Sequence, residues 1–197
     1  MKNNGIWSQQ FSSISASNGA DLVRPRLHND RLVATDDDRR GSGFYVFEHD
    51  QASWRQIAYL VPSTGDSINA STLSIFDNRV LGCDQDSGNC YLFTQTDSGW
   101  SESILTPIVD GTTRTQIISA TMSKDYVVIG DSFCTSYSNI CNSGLLFVFH
   151  NNGAEWGQQI ILTASEDGTF LGFRNIAMTN RKIASASWRN GIFIFRR

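Results

Sequence analysis

Proline is scarce, three residues in 197, and no window of about eleven residues repeats its apolar positions at helical intervals. A helical bundle is thereby excluded. Long hydrophobic runs are missing as well, since nothing approaches the roughly 18 apolar residues of a membrane-spanning helix. The start, MKNNGIWSQQ, has no apolar leader core. Membrane insertion is not expected, and an export signal, if the chain is exported, lies outside this sequence. Charge of one sign is also lacking. Sixteen Lys and Arg stand against nineteen Asp and Glu, scattered, for a formal net charge of -3. That balance gives neither nucleic acid nor an anionic membrane surface an electrostatic reason to bind. What the chain does have is sixteen glycines and many Ser, Thr, Asn and Asp between short apolar runs. This is the composition of strands joined by tight turns.

The apolar runs repeat. YVFEHDQASW at 45–54 returns as YLFTQTDSGW at 91–100 and FVFHNNGAEW at 147–156, and the triplet alone returns in the final GIFIFRR. The triplets Tyr45-Val46-Phe47, Tyr91-Leu92-Phe93, Phe147-Val148-Phe149 and Phe193-Ile194-Phe195 are spaced by 46, 56 and 46 residues. Before each comes a turn and a short apolar run, as in HNDRLVAT, FDNRVLGC, SKDYVVIG and TNRKIASA. After the first three comes a strand opened by Trp54, Trp100 or Trp156, and a similar strand, Trp7 to Ala16, precedes the first repeat. About 45 residues holding four short strands is the period of a propeller blade. The expected fold is all-β: a single β-propeller region over 1–197 with four four-stranded repeats at about 20–62, 63–108, 109–163 and 164–197. Strand 7–16 belongs to a preceding or a closing blade. In the second repeat the strands are expected at 71–76, 79–83, 90–94 and 100–108. Alternation puts Tyr91 and Phe93 on one face and Leu92 on the other, so a blade packed between two neighbours is apolar on both faces.

The order of Trp, a Gln-containing strand ending near Leu-Thr-Ala-Ser, a Gly-bearing turn, Val-Val-Ile-Gly, a polar loop and Phe-Val-Phe resembles the FG-GAP repeats of integrin α-subunit-like β-propellers, particularly their bacterial relatives. The likeness spans nearly the whole chain and is best from Trp156 to Phe195, where Leu171-Gly172-Phe173 stands for the family's Phe-Gly; the first three repeats have no such pair before their first strand. The resemblance implies an extracellular binding or adhesion module. It also implies blades cut for a seven-fold ring, about 51° each, so that four make an open arc of about 206°. Such an arc would expose an apolar blade face at each end and continue into further chain or self-associate. The alternative is a closed four-bladed ring in which strand 7–16 pairs with 191–197.

Many FG-GAP repeats carry an Asp-x-Asp-x-Asp-Gly calcium loop between their first two strands. This chain has only Asn29-Asp30, Asp77-Asn78, Lys124-Asp125 and Asn180-Arg181 there. These are two-residue turns with too few oxygens for a calcium cage, so no metal and no cofactor is expected. The cluster Asp36-Asp37-Asp38 is followed directly by Arg39 and Arg40, which oppose a dication. CDQDSGNC (83–90) and CTSYSNIC (134–141) share one spacing and fall between the second and third strands of adjacent repeats. Local pairing, Cys83 with Cys90 and Cys134 with Cys141, fits that topology best, with α-carbons expected within about 4.4–6.8 Å. Buried free thiols and a zinc site, the latter poorly matched to six intervening residues, are the other readings. Disulfides imply secretion, a cell surface or the periplasm.

No nucleophile motif, His-Glu-x-x-His or phosphate-binding glycine loop occurs. His28, His49 and His150 fall at separate strand ends. No catalytic residue is therefore assigned, although two remote carboxylates converging at a central channel, as in a glycan-cleaving propeller, remain the rival reading. The loops between second and third strands, and those between blades, share one rim and are the long ones. Function favours long loops on a rigid scaffold. The candidate binding residues on that rim are Phe133, Tyr137, Trp188 and Arg189, with Asp84 and Asp86, facing a protein or glycan partner. The aromatics either anchor a ligand or fold back over the blades.

Overall fold

The computed structural model describes residues 13–36, 43–50, 53–113, 116–131, 144–164, 170–173, 175–187 and 191–197. Among them there is no helix, and the strands gather into four small antiparallel sheets arranged like a four-blade propeller. Blade 1 is β1 (Leu22–His28), β2 (Arg31–Asp36), β3 (Phe44–His49) and β4 (Trp54–Leu60). Blade 2 is β5 (Asn69–Phe76), β6 (Arg79–Cys83), β7 (Cys90–Thr96) and β8 (Gly99–Leu105). A small hairpin of β9 (Ile108–Val109) and β10 (Thr112–Thr113) precedes blade 3. Blade 3 is β11 (Ile117–Met122), β12 (Tyr126–Asp131), β13 (Leu145–Asn151) and β14 (Trp156–Thr163). Blade 4 has three described strands, β15 (Ile176–Thr179), β16 (Lys182–Ala186) and β17 (Ile192–Arg196). Every blade is an up-and-down meander in sequence order.

Turn chemistry explains the meander. Asn29 and Asp77 open two-residue turns at φ of 52° and 49°, left-handed geometry that Asn and Asp tolerate. The one proline inside a strand, Pro25, sits where the β1–β2 register slips between Val23 and Arg26, so its missing N–H breaks no ladder bond.

Packing follows one rule. The two aromatics of each third strand face the preceding blade, and the residues alternating with them face the following one. Tyr91 and Phe93 thus meet Phe44 and Val46 across the blade 1–2 interface, with Trp100 alongside. Phe147 and Phe149 meet Leu92 and Cys90, with Trp156 alongside. Phe193 and Phe195 meet Leu146 and Val148. Tyr45 and Phe47, which have no blade before them among the described residues, are buried beneath Ile14 and Ala16, with Trp54 alongside. At about 25 cal/mol per Å2 of apolar surface removed from water, these three aromatic-aliphatic interfaces are the principal force holding the blades together.

Hydrogen bonds run beside the apolar layer. Gln56 of β4 accepts the Ser17 N–H at 2.8 Å, and Glu102 of β8 accepts the Ser63 N–H at 3.0 Å. Gln158 of β14 accepts from Ile108 N at 2.9 Å and donates to Ile108 O at 2.8 Å. In each case the fourth strand grips the connector that leads into its own blade, two residues after its tryptophan.

Two expectations need correction. Residues 13–16 are not in a strand, and the rest of segment 7–16 lies outside the described residues. The fourth strand of blade 2 stops at Leu105 rather than 108, because Pro107 cannot donate to the ladder and Ile108 pairs instead with Thr113 in the β9–β10 hairpin. Blade 4 shows three strands among the described residues.

Candidate functional site

The described part of the long-loop rim is best ordered at blade 2, where the chain leaves β6 and returns as β7. Cys83 and Cys90 are direct cross-strand partners and form a disulfide. The Cys83 N–H is turned away, donating to Thr72 Oγ1 at 2.7 Å, while the next pair is closed by Asp84 N to Asn89 O at 2.9 Å. The cysteines therefore occupy a non-hydrogen-bonded pair, the closer of the two cross-strand arrangements. Their α-carbons are 3.9 Å apart, closer than the roughly 4.4–6.8 Å expected from the sequence, in keeping with the tight spacing of that pair.

The loop between them is built around a carboxylate. Asp84, only 6% exposed, accepts the Asp86 and Ser87 N–H groups on Oδ1 at 2.7 and 2.5 Å. Its Oδ2 accepts the Ser67 N–H of the incoming connector at 3.0 Å. Gly88, at φ 75°, makes the left-handed return that a side chain would strain. A buried carboxylate is tolerable when several N–H groups satisfy it.

A second carboxylate joins the same network from the connector. Asp66 accepts hydrogen bonds from the Tyr91 hydroxyl and, at 3.4 Å, from Asn89 Nδ2. The hydroxyls of Ser87 and Tyr91 hold the Asp66 carboxyl below the usual aspartate range. Burial, and then the bond to Asp66, push the Tyr91 phenol up. Thr64 Oγ1 lies 2.7 Å from the same hydroxyl, and Thr106 Oγ1 donates to Asn89 Oδ1 at 2.8 Å. The Tyr91 ring thus belongs to the blade 1–2 core while its hydroxyl anchors the rim. Tyr45 repeats the arrangement in blade 1, accepting from Asn18 Nδ2 at 2.9 Å.

Asp86 and Gln85 form the exposed tip of this loop. Of the two rim carboxylates anticipated from sequence, Asp86 is presented to solvent and Asp84 holds the loop together. Phe133, Tyr137, Trp188 and Arg189 lie outside the described residues, as do Cys134 and Cys141. β12 runs to Asp131 and β13 starts at Leu145, and the register partners matching Cys83 and Cys90 in blade 3 are Gly130 and Leu146.

The first strands of all four blades line an axial channel of about 200 Å3. Its polar lining is Arg26, Ser71, Ser74, Ser119, Thr121 and Asn175, with no carboxylate. Much of it ties blade to blade. Arg26 Nε donates to Leu73 O at 3.2 Å, Ser71 Oγ to Ile118 O at 2.9 Å, and Ser119 Oγ to Gly172 O at 2.6 Å. The histidines are dispersed. His28 Nε2 is 3.0 Å from Asp77, His49 lies against Trp54 and His150 against Tyr126. Among the described residues no three His, Cys, Asp or Glu converge as metal ligands.

Two features escaped sequence reading. Asp36 and Asp131 end the second strands of blades 1 and 3, and Asp84 directly follows that of blade 2, with Asp84 and Asp131 buried. The Gln or Glu two places after each fourth-strand tryptophan is the connector grip described above. Both were visible as spacing, in ATD, GCD and IGD and in Trp-x-Gln or Trp-x-Glu.

The fold defines the class: a β-propeller of small meander blades. No protein-family model matches the chain, and no curated protein matches it.

Proposed function

We propose that the protein is an extracellular binding scaffold of FG-GAP type, non-catalytic, that presents its long-loop rim to a protein or glycan partner. The observation that carries this reading is the asymmetry of the rims. One is trimmed to two-residue turns at Asn29-Asp30 and Asp77-Asn78. The other holds a loop fixed by a disulfide, a buried carboxylate and an Asp66–Tyr91 anchor, with Gln85 and Asp86 at its exposed tip. Pre-ordering a loop removes the entropy cost of ordering it on binding, which is what a recognition surface gains from such construction. The disulfide supports an oxidising compartment.

The test is a glycan array and a cell-surface pull-down run with oxidised protein, followed by affinity measurements on two variants. Gln85→Ala/Asp86→Ala should weaken the captured ligand at least tenfold with an unchanged melting temperature, and Asn152→Ala on the opposite rim should not. The reverse pattern overturns the assignment of the rim. Release of new reducing ends from an array glycan overturns the non-catalytic reading.

A further inference from the structure

Among the described residues blade 4 lacks what every other blade has. In blades 1, 2 and 3 a fourth strand covers the third, and its tryptophan packs beside the interface with the preceding blade. Among the described residues β17 has a partner on one side only. Where a fourth-strand tryptophan would lie, blades 3 and 4 leave a groove of about 290 Å3. Its floor includes Val148, Leu162, Met178 and Phe195, and Arg181 and Arg196 stand in its lining. The rear face of blade 4 is bare. Ile192 and Ile194 are 71% and 62% exposed, whereas their counterparts Phe44, Val46, Cys90, Leu92, Leu146 and Val148 are at most 4% exposed.

The head of the molecule carries the complement. Ile14 and Ala16 cover Tyr45 and Phe47, and Ser17 is gripped by Gln56 as Ser63 is by Glu102 and Ile108 by Gln158. Residues 14–17 therefore occupy the place that the tail of a fourth strand and the following connector hold at the interior interfaces. Just upstream the sequence reads Trp7-Ser8-Gln9, the same Trp-x-Gln spacing as Trp54-x-Gln56 and Trp156-x-Gln158. The head thus bears the spacing of a fourth strand ahead of blade 1. Were that strand to complete the molecule's own blade 4, Ile192 and Ile194 would be covered by blade 1, as Phe44 and Val46 are by blade 2. They are exposed instead.

We infer that β17 and its groove are a docking site for the Trp7-led N-terminal segment of a second copy of this chain. The added strand completes blade 4 by backbone pairing along β17, Trp7 fills the groove, and Ile192 and Ile194 are buried against the head of the incoming copy. The contact is heterologous, head to tail, so it either closes into a ring of several copies or propagates. It is independent of what the loop rim binds.

Light scattering of the full chain after gel filtration should give masses of two or more copies of 21.9 kDa, growing with concentration. Trp7→Ala, which removes the head's anchor, and Ile194→Asp, which spoils the tail, should each be monomeric. Mixed one to one they should restore a dimer and nothing larger, because one intact head meets one intact tail. Excess peptide spanning residues 5–16 should dissociate the wild-type assembly, a readout that does not depend on either variant folding. A wild type that stays monomeric overturns the inference. So do assembly indifferent to both substitutions, a mixture that remains monomeric, and a peptide without effect.

Discussion

Gly82 on β6 faces Phe44 on β3 across the blade 1–2 interface so closely that a β-carbon on the glycine would lie 2.6 Å from Phe44 Cε1 and 2.8 Å from Ile68 Cγ2. Phe44 and Ile68 are themselves fully enclosed, at 0% and 1% exposure, and have nowhere to retreat. Gly82→Ala should therefore destabilise by about 1–3 kcal/mol, the range for overpacking a close-packed core. Gly157→Ala, on β14 with nothing within 4 Å of its new β-carbon, should change stability by less than about 0.5 kcal/mol. Urea unfolding of the two variants side by side checks the contrast.

Reduction of the Cys83–Cys90 bridge should lower stability by about 2–3 kcal/mol, the loop-entropy value for so short a closed loop. The sheet signal in far-ultraviolet circular dichroism should persist, since the interfaces survive the change. Denaturant melts with and without reductant, and peptide mapping under non-reducing conditions, supply the measurement. Cys83 found joined to Cys134 or Cys141 would contradict it.

The Asp66–Tyr91 pair gives stability a pH dependence at both ends. Asp66 has a lowered folded pKa, so its contribution is complete above the ordinary aspartate value of about 3.9 and is lost as pH falls through the folded value. Tyr91 has a raised folded pKa, so its contribution is complete below about 10 and is lost as pH climbs through the folded value. Asp66→Asn should flatten the acid limb of a melting-temperature profile. Tyr91→Phe should flatten the alkaline limb and cost about 1 kcal/mol at neutral pH for the lost hydrogen bonds.

Millimolar calcium should leave the melting temperature where it was. The turns between first and second strands are two-residue hairpins, and among the described residues no cluster of three acidic or imidazole groups forms. A ligand that binds only the folded state would raise the melting point with concentration, so a thermal titration decides the matter.

The sequence conveyed the blades because their packing depends on period-two alternation, which survives translation into letters. The second strand of blade 2, expected at 79–83, is found at Arg79–Cys83, and each aromatic triplet lies in a third strand. What was hidden depends on contacts across blades. Asp84 reads as a loop charge until Ser67, seventeen residues upstream, is seen to donate to it. Likewise nothing in Gln158 itself announces that it holds both backbone groups of Ile108, fifty residues away. The extent of β8 was overestimated because local propensity at Ile108 favours a strand, and only Pro107 and the partner Thr113 say which strand.

The rule that aromatics look back and aliphatics look forward makes every blade boundary the same joint with the same handed fit. Such a joint has a grammar: a unit copied in tandem meets its twin with matching surfaces, so the architecture lengthens by duplication without new interfaces having to be devised. It also makes the molecule behave like a row of stacked plates rather than a sphere. Among the described residues blade 3 is clasped on both sides, while blade 4 is held by one neighbour and shows exposed isoleucines on the other. Exchange of amide hydrogens should accordingly be quickest in β15–β17 and slowest in β6, β7, β12 and β13, a gradient of persistence running along the row from its loose end inward.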